Sequence, residues 1–282
     1  MDPESCRLSD QQIEQFETFG VLVRRQVFTP DEMARITGEF EDRLETLRAE
    51  ANTGDEPRFH NWPNRNPQTP FIAGLLEDPR IYLPGEQLAG EDSVPVLSNA
   101  NSYRSSTPWH PDIHDHDLYF IKNVMYLQPT IADRGALRFI PGSHRNPFHD
   151  ALLNLKIDGT DDNEATHFTQ SGLRPEDLPC YIFESNPGDV VIFNARTWHA
   201  AFGGYEDRRT CTFNFVRNPK TPEAEKAMRR QVGNARKVTE FLETVGPQYH
   251  PSWLENPEGS ARRARWIEWL EKWGFVEAYQ RG

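Results

Sequence analysis

Between residues 94 and 217 the chain runs through 94–103 (VPVLSNANSY), 118–127 (LYFIKNVMYL), 136–140 (ALRFI), 180–184 (CYIFE), 189–194 (DVVIFN) and 209–216 (RTCTFNFV). Each run is short, rich in β-branched and aromatic residues, and bounded by Asn, Pro or Gly. That pattern predicts an antiparallel sandwich or barrel. Pro187-Gly188-Asp189 is a tight turn feeding Val190-Val191-Ile192-Phe193. Residues 156–179 interrupt the β pattern with an acidic, Gly-containing segment, long enough to form a lid or an insertion. Proline (22) outnumbers glycine (18) and aromatics reach 11%, which suits a loop-rich β core with helices added rather than a helical bundle.

On the amino-terminal side, Ser9 and Gln12 form a capping-box pattern for a helix ending near Gly20, and GVLVRRQ (20–26) reads as a strand. Thr29-Pro30-Asp31-Glu32 opens a second helix whose Met33, Ile36, Phe40, Leu44 and Leu47 make one apolar stripe. Residues 51–70 are polar, carry four prolines, and read as a long loop. On the carboxyl side Thr221-Pro222-Glu223 starts another helix, and Trp266, Trp269, Leu270 and Trp273 form a stripe that packs against a sheet. The chain reads as one domain over 1–282. Helices at 8–50 and about 221–280 buttress a β core at about 94–217.

Charge and cysteine narrow the functional classes. Arg and Lys number 31 against 43 Asp and Glu, a net charge of −12 that repels nucleic acid and anionic membranes. No apolar run approaches the roughly 20 residues of a membrane span, and no secretory signal is visible, so a cytoplasmic location is expected. Cys6, Cys180 and Cys211 form no CxxC pair and read as free thiols. A small-molecule substrate is the partner expected.

Two short segments carry chemistry. In Trp109-His110-Pro111-Asp112 an imidazole and a carboxylate stand two apart, so on extended backbone they share a face. With the distant His199, preceded by Trp198, they make two imidazoles and one carboxylate. That donor set suits mononuclear Fe(II) with positions left open. The run continues through His114 and His116, so the pair His114/His116 is an alternative. Arg208-Arg209-Thr210 supplies a guanidinium fork for a carboxylate, with Arg208 and Thr210 on one strand face and Arg209 on the other. Tyr103, Arg104, Asn123, Tyr126 and Trp198 are candidate pocket residues. Arg138 and Arg145 are cations that could meet an anionic substrate or a salt-bridge partner.

These residues resemble the phytanoyl-CoA dioxygenase-like branch of the Fe(II)/2-oxoglutarate-dependent oxygenases. The resemblance is carried by Trp109-His110-Pro111-Asp112, residues 135–145 (GALRFIPGSHR), Pro187-Gly188-Asp189, His199 with Arg208, and the opening residues 8–23 (LSDQQIEQFETFGVLV). It runs from about residue 8 to 217. It implies a double-stranded β-helix (jelly-roll, cupin-like) core within a mainly β, helix-flanked α+β fold. It implies His110, Asp112 and His199 as iron ligands, and Arg208, helped by Thr210, as anchor for 2-oxoglutarate. The interval from His199 to the arginines is shorter than the family's usual spacing, so Arg209 stays open as the anchor. Fe(II), 2-oxoglutarate and O2 then oxidise an unactivated C–H bond, releasing succinate and CO2. Related halogenases carry a small residue in place of the acidic ligand, so Asp112 argues against halogenation; hydroxylation is the default outcome the resemblance implies, with desaturation or ring formation the alternatives from the same chemistry. The alternatives are a non-catalytic jelly-roll binding protein and a cupin-type metalloenzyme that does not use 2-oxoglutarate.

Overall fold

The computed structural model describes residues 2–51, 59–157, 172, 174–203, 207–241 and 244–280. Most of the 156–179 segment and part of the turn before Arg208 lie outside the described residues.

In chain order the helices and strands are α1 (Asp10–Phe19), β1 (Val21–Arg24), α2 (Pro30–Ala51), β2 (Phe59–Pro63), α3 (Pro70–Gly74), α4 (Pro79–Ala89), β3 (Val94–Val96), β4 (Asn99–Tyr103), β5 (Thr107–His110), β6 (Phe120–Tyr126), β7 (Leu137–Phe139) and α5 (Phe148–Asn154). Then follow β8 (Tyr181–Phe183), β9 (Val190–Asn194), β10 (His199–Ala201), β11 (Arg208–Val216), α6 (Pro222–Phe241), α7 (Pro251–Leu254), α8 (Ala261–Lys272) and α9 (Phe275–Gln280). The strands form two antiparallel sheets. The large one is ordered β1-β9-β6-β11-β4-β2, with β3 also on β11; the small one is β5-β10-β7-β8.

Local chemistry explains the helix starts. Ser9 Oγ accepts from the Gln12 amide at 3.3 Å while Gln12 Oε1 accepts from the Ser9 amide at 2.9 Å. Thr29 and Glu32 repeat the reciprocal bonding at the head of α2. The α2 stripe is buried, and its Phe40 ring lies 4.7 Å from Trp62 of β2. Trp266 and Trp269 of α8 are buried too, with the Trp266 ring 6.2 Å from Phe215 of β11. Helices from both ends of the chain thus cover the outer face of the large sheet, in one continuous apolar core.

Side-chain alternation divides β11 cleanly. Cys211, Phe213 and Phe215 join the helix-covered core, which turns Arg208, Thr210, Thr212 and Asn214 to the inner face. The inner face of β9 and β6 is apolar, with Val191, Phe193, Val124 and Tyr126 meeting Phe139 and Phe183 of the small sheet.

Three elements differ from the sequence reading. The run 94–103 is two strands, because Leu97 takes φ +44° and breaks the extended path. The expected loop at 51–70 contains β2, an edge strand paired to β4. Asn61 and Pro63 interrupt the strand propensity of Phe59 and Trp62, and pairing to β4 supplies what this short segment lacks by itself. Its Pro63 is tolerated because an edge strand need not donate on its open side. His110 and His199 sit in short strands of their own, β5 and β10, which none of the six β runs includes.

His144 links α1 to the β core. Burial pushes its imidazole down to about 4, against a pull upward from the Glu17 carbonyl at 3.2 Å; Arg145 and Arg196 push it further down. The folded protein therefore keeps His144 neutral until about pH 4, whereas the unfolded chain protonates it near its ordinary value of 6.5. Stability contributed here is lost as pH falls from about 6.5 to about 4. Urea midpoints at pH 7 and pH 5 should differ less for His144→Gln than for the natural protein. An equal drop in both would assign the acid sensitivity to other groups.

Candidate metal centre

Strands β5 and β10 pair so that His110 stands opposite His199. The two imidazole rings are 4.3 Å apart at an interplanar angle of 48°. Asp112 follows β5 directly, and its own amide and that of Ile113 donate to the Ala195 carbonyl at 2.8 and 3.2 Å. This places Asp112 Oδ1 4.0 Å from His110 Nε2 and 3.8 Å from His199 Nε2. One donor atom from each residue lies within 4.8 Å of the others.

Backbone carbonyls fix the imidazole tautomers. His110 Nδ1 lies 2.8 Å from the Pro108 carbonyl and His199 Nδ1 2.9 Å from the Thr197 carbonyl. A carbonyl only accepts, so each Nδ1 carries the proton and each Nε2 presents a lone pair beside Asp112. Burial pushes the Asp112 carboxyl up, but Lys122, then His199 and His110, outweigh it and bring it to about 2. Burial, helped by His110, lowers His199 to about 3 despite the attraction of Asp112. At neutral pH the set is one carboxylate and a neutral buried imidazole, with His110 completing it. Those are the protonation states that a metal requires. The donor set fits Fe(II).

The alternative pair is not assembled. His114 turns its Nδ1 to His149 Nε2 at 3.3 Å, while His116 is largely exposed and lies beside Asp117. A second acid–His group, Asp115-His116-Asp117, lies on the surface, with Asp115 ion-paired to Arg230.

Each histidine is preceded by a tryptophan on the opposite side of the small sheet. Trp109 and Trp198 are buried in a separate cluster with Ile140, Leu152 and Phe202. Trp198 was expected near the pocket. The alternation that turns His199 inward turns Trp198 outward, against His149, and so corrects that expectation. Asn123 needs the same correction. It is paired with Phe213 on the helix-covered face and donates to the Phe213 carbonyl at 2.7 Å.

Other candidates are placed as follows. Arg208 is buried on the inner face, its guanidinium 5.0 Å from the Tyr103 ring. It donates to the Ser105 carbonyl at 2.7 Å and to Thr107 Oγ1 at 3.2 Å, and the Tyr126 hydroxyl also bonds to it. Its Nε is buried with no protein partner, an unmet donor suited to a carboxylate. Gly135 makes room for this side chain. At φ +78° a Cβ there would stand 2.2 Å from Arg208 Cδ. Arg209 points the other way and pairs with Glu41 of α2 at 3.0 Å. Thr210 shares the inner face with Arg208, and its hydroxyl accepts from Asn101 at 3.1 Å. Arg104 is ion-paired with Asp207, which Arg48 of α2 also holds, so it serves that surface network. Arg138 donates to the Ala132 carbonyl and lies over Phe202, while Arg145 donates to the Glu17 carbonyl.

Lys122 and a row of amides were not singled out in the sequence, and the 140–143 block was singled out only as a motif. Lys122, a lone cation in an apolar strand, bonds to Asp112; its parity with Val124 and Tyr126 was the available signal. Ser143 Oγ accepts from the Trp198 amide at 2.8 Å, so the Ile140-Pro141-Gly142-Ser143 block braces the strand carrying His199. A row of amides, Asn61, Asn99 and Asn101, links β2 to β4 and continues to Thr210, with Asn61 and Asn99 also bonded to Thr244 and Gln248.

Two antiparallel sheets enclosing a two-histidine, one-carboxylate set define the jelly-roll class of oxygenase folds. Solved structures share it. HygX from Streptomyces hygroscopicus, with nickel and 2-oxoglutarate bound, superimposes with a TM-score of 0.58 at 19% identity, covering 75% of this chain and 88% of that one. SnoN, a non-heme alpha ketoglutarate dependent epimerase from nogalamycin biosynthesis, gives 0.53 at 19% identity, covering 79% and 88%. At such identities the likeness is one of fold. The sequence also matches the phytanoyl-CoA dioxygenase family over residues 16–210, and the chain belongs to that family. The family depends on Fe(II) and 2-oxoglutarate, with O2 as co-substrate. Dioxygenase sphC of Aspergillus fumigatus is 24% identical over 217 residues, 68% of this chain. The match spans about half of that relative, 53% of its length.

Proposed function

We propose that the protein is an Fe(II)- and 2-oxoglutarate-dependent dioxygenase that hydroxylates an unactivated C–H bond of a small molecule. The observation that carries this reading is the His110, Asp112 and His199 donor set with both Nδ1 atoms tied to backbone carbonyls. His110, Asp112 and His199 hold the iron, which supplies the oxidising chemistry when bound. Arg208, buried on the inner face of β11 with Thr210 beside it, anchors the far carboxylate of 2-oxoglutarate; Arg209, on the opposite face and paired with Glu41, does not take part. Asn61 and Asn99 are buried and Asn101 is half-buried; they are bonded to one another and to Thr210, Thr244 and Gln248, so the row stiffens the inner face of β2 and β4 beside Arg208 and Thr210.

One substrate C–H, one O2 and one 2-oxoglutarate give C–OH, succinate and CO2. The test is succinate release with Fe(II), 2-oxoglutarate and O2 across amino-acid derivatives, phosphonates, terpenoids, sugars and acyl thioesters. Hydroxylation predicts that one class couples succinate to a product heavier by one oxygen atom. Succinate coupled to a product of unchanged mass would indicate epimerisation, the activity of SnoN, and would overturn the hydroxylation assignment. No stimulation by any class would count against the substrate classes named.

A further inference from the structure

Lys122 stands in one cross-strand row of the large sheet with Phe193 of β9 and Asn214 of β11. Its ammonium lies 3.3 and 3.2 Å from the two oxygens of Asp112, and 5.8 Å from the centre of the Phe193 ring. The Phe193 ring in turn packs 4.8 Å from that of His199. One aromatic plate therefore seats both the lysine and one of the three donors. The backbone of Asp112 is fixed by the hydrogen bond its N–H donates to the Ala195 carbonyl. Its carboxylate is gripped from the sheet and its backbone from β9's end.

We infer that Lys122 is a positioning residue for the iron: by contacting both oxygens of Asp112 it fixes the orientation of the carboxylate that stands beside His110 and His199. This inference rests on the function proposed above. A carboxylate free to turn about its χ2 angle would spend part of its time facing away from the two imidazoles. An ammonium with three donors can hold both oxygens at once and restrict that rotation. Groups that orient ligands from behind typically change metal affinity by about 10–100-fold when removed.

An opposing effect makes the sign of the change decisive. Lys122 is a cation beside a dication, and charge repulsion alone predicts that its removal tightens metal binding. Positioning predicts that removal loosens it. Anaerobic calorimetric titration of the metal-free protein with Fe(II) separates the two without any turnover. Lys122→Met should weaken Fe(II) binding by about 10–100-fold. Lys122→Arg, which keeps a charged donor, should recover part of the loss. Circular dichroism and melting of the metal-free variants check that the fold persists, and Lys122→Arg supplies the reading if the methionine variant fails to fold.

Unchanged or tighter binding by Lys122→Met would overturn the inference, as would equal loss in both variants. His199→Ala runs in parallel. If the natural protein binds Fe(II) and His199→Ala does not, a null result for Lys122 sinks this inference alone. If the natural protein binds no Fe(II), the proposed function falls and takes the inference with it.

Discussion

Asp112→Ala is expected to abolish the visible absorption that Fe(II) and 2-oxoglutarate develop together under anaerobic conditions, and His199→Ala is expected to do the same. The Pro108 and Thr197 carbonyls hold the two imidazoles by their Nδ1 atoms, and Asp112 is the sole carboxylate in the set. Without it the metal loses its charge partner, and Lys122 is left facing two imidazoles. Stranding that cation destabilises the fold by less than the about 3–5 kcal/mol of a fully buried pair, because the Asp112 side chain is 25% exposed. The variant should therefore remain folded, and the loss should appear in the spectrum and in succinate release rather than in solubility. A band of unchanged intensity in Asp112→Ala would remove that residue from the metal set.

The second large effect separates the adjacent arginines. Arg208→Ala should weaken 2-oxoglutarate binding at least about 30-fold, since truncating one partner of a buried charged pair costs about 2 kcal/mol or more. Arg209→Ala should change it by less than about threefold, because it removes only a partly exposed ion pair with Glu41 on the opposite face of β11. Titration of the Fe(II)-loaded variants with 2-oxoglutarate measures both. A damaging Arg209→Ala beside a mild Arg208→Ala would reverse the assignment of faces on β11.

Much of this was legible before any coordinates. The helix caps at Ser9 and Thr29 depend on residues three apart, and the α2 stripe on 3.6-residue periodicity; both are local and both appear as read. The β runs at 118–127, 136–140 and 189–194 carry their own propensity. So does the parity that sends Arg208 inward and Arg209 outward. What escaped depends on partners far along the chain. Strand β2 exists because β4 lies alongside it. Trp198 and Asn123 are different: alternation alone sets Trp198 opposite His199 and Asn123 opposite Lys122, so parity along the strand was the signal that their nearness to the donor residues obscured. The Lys122–Asp112 contact joins a strand to a loop, and a lone lysine in an apolar run reads equally well as a solvated edge. The Ser143 brace on Trp198 could be recognised as a motif but not explained until β10 and the 140–143 turn were seen together.

The most direct measurement is an anaerobic absorption titration of the unmodified protein with Fe(II), followed by 2-oxoglutarate. Metal held by His110, Asp112 and His199 with adjacent open positions predicts a weak visible charge-transfer band. It should saturate at one 2-oxoglutarate per chain and require both additions. No band, in a folded protein at saturating Fe(II) and 2-oxoglutarate, would contradict the assignment of the site.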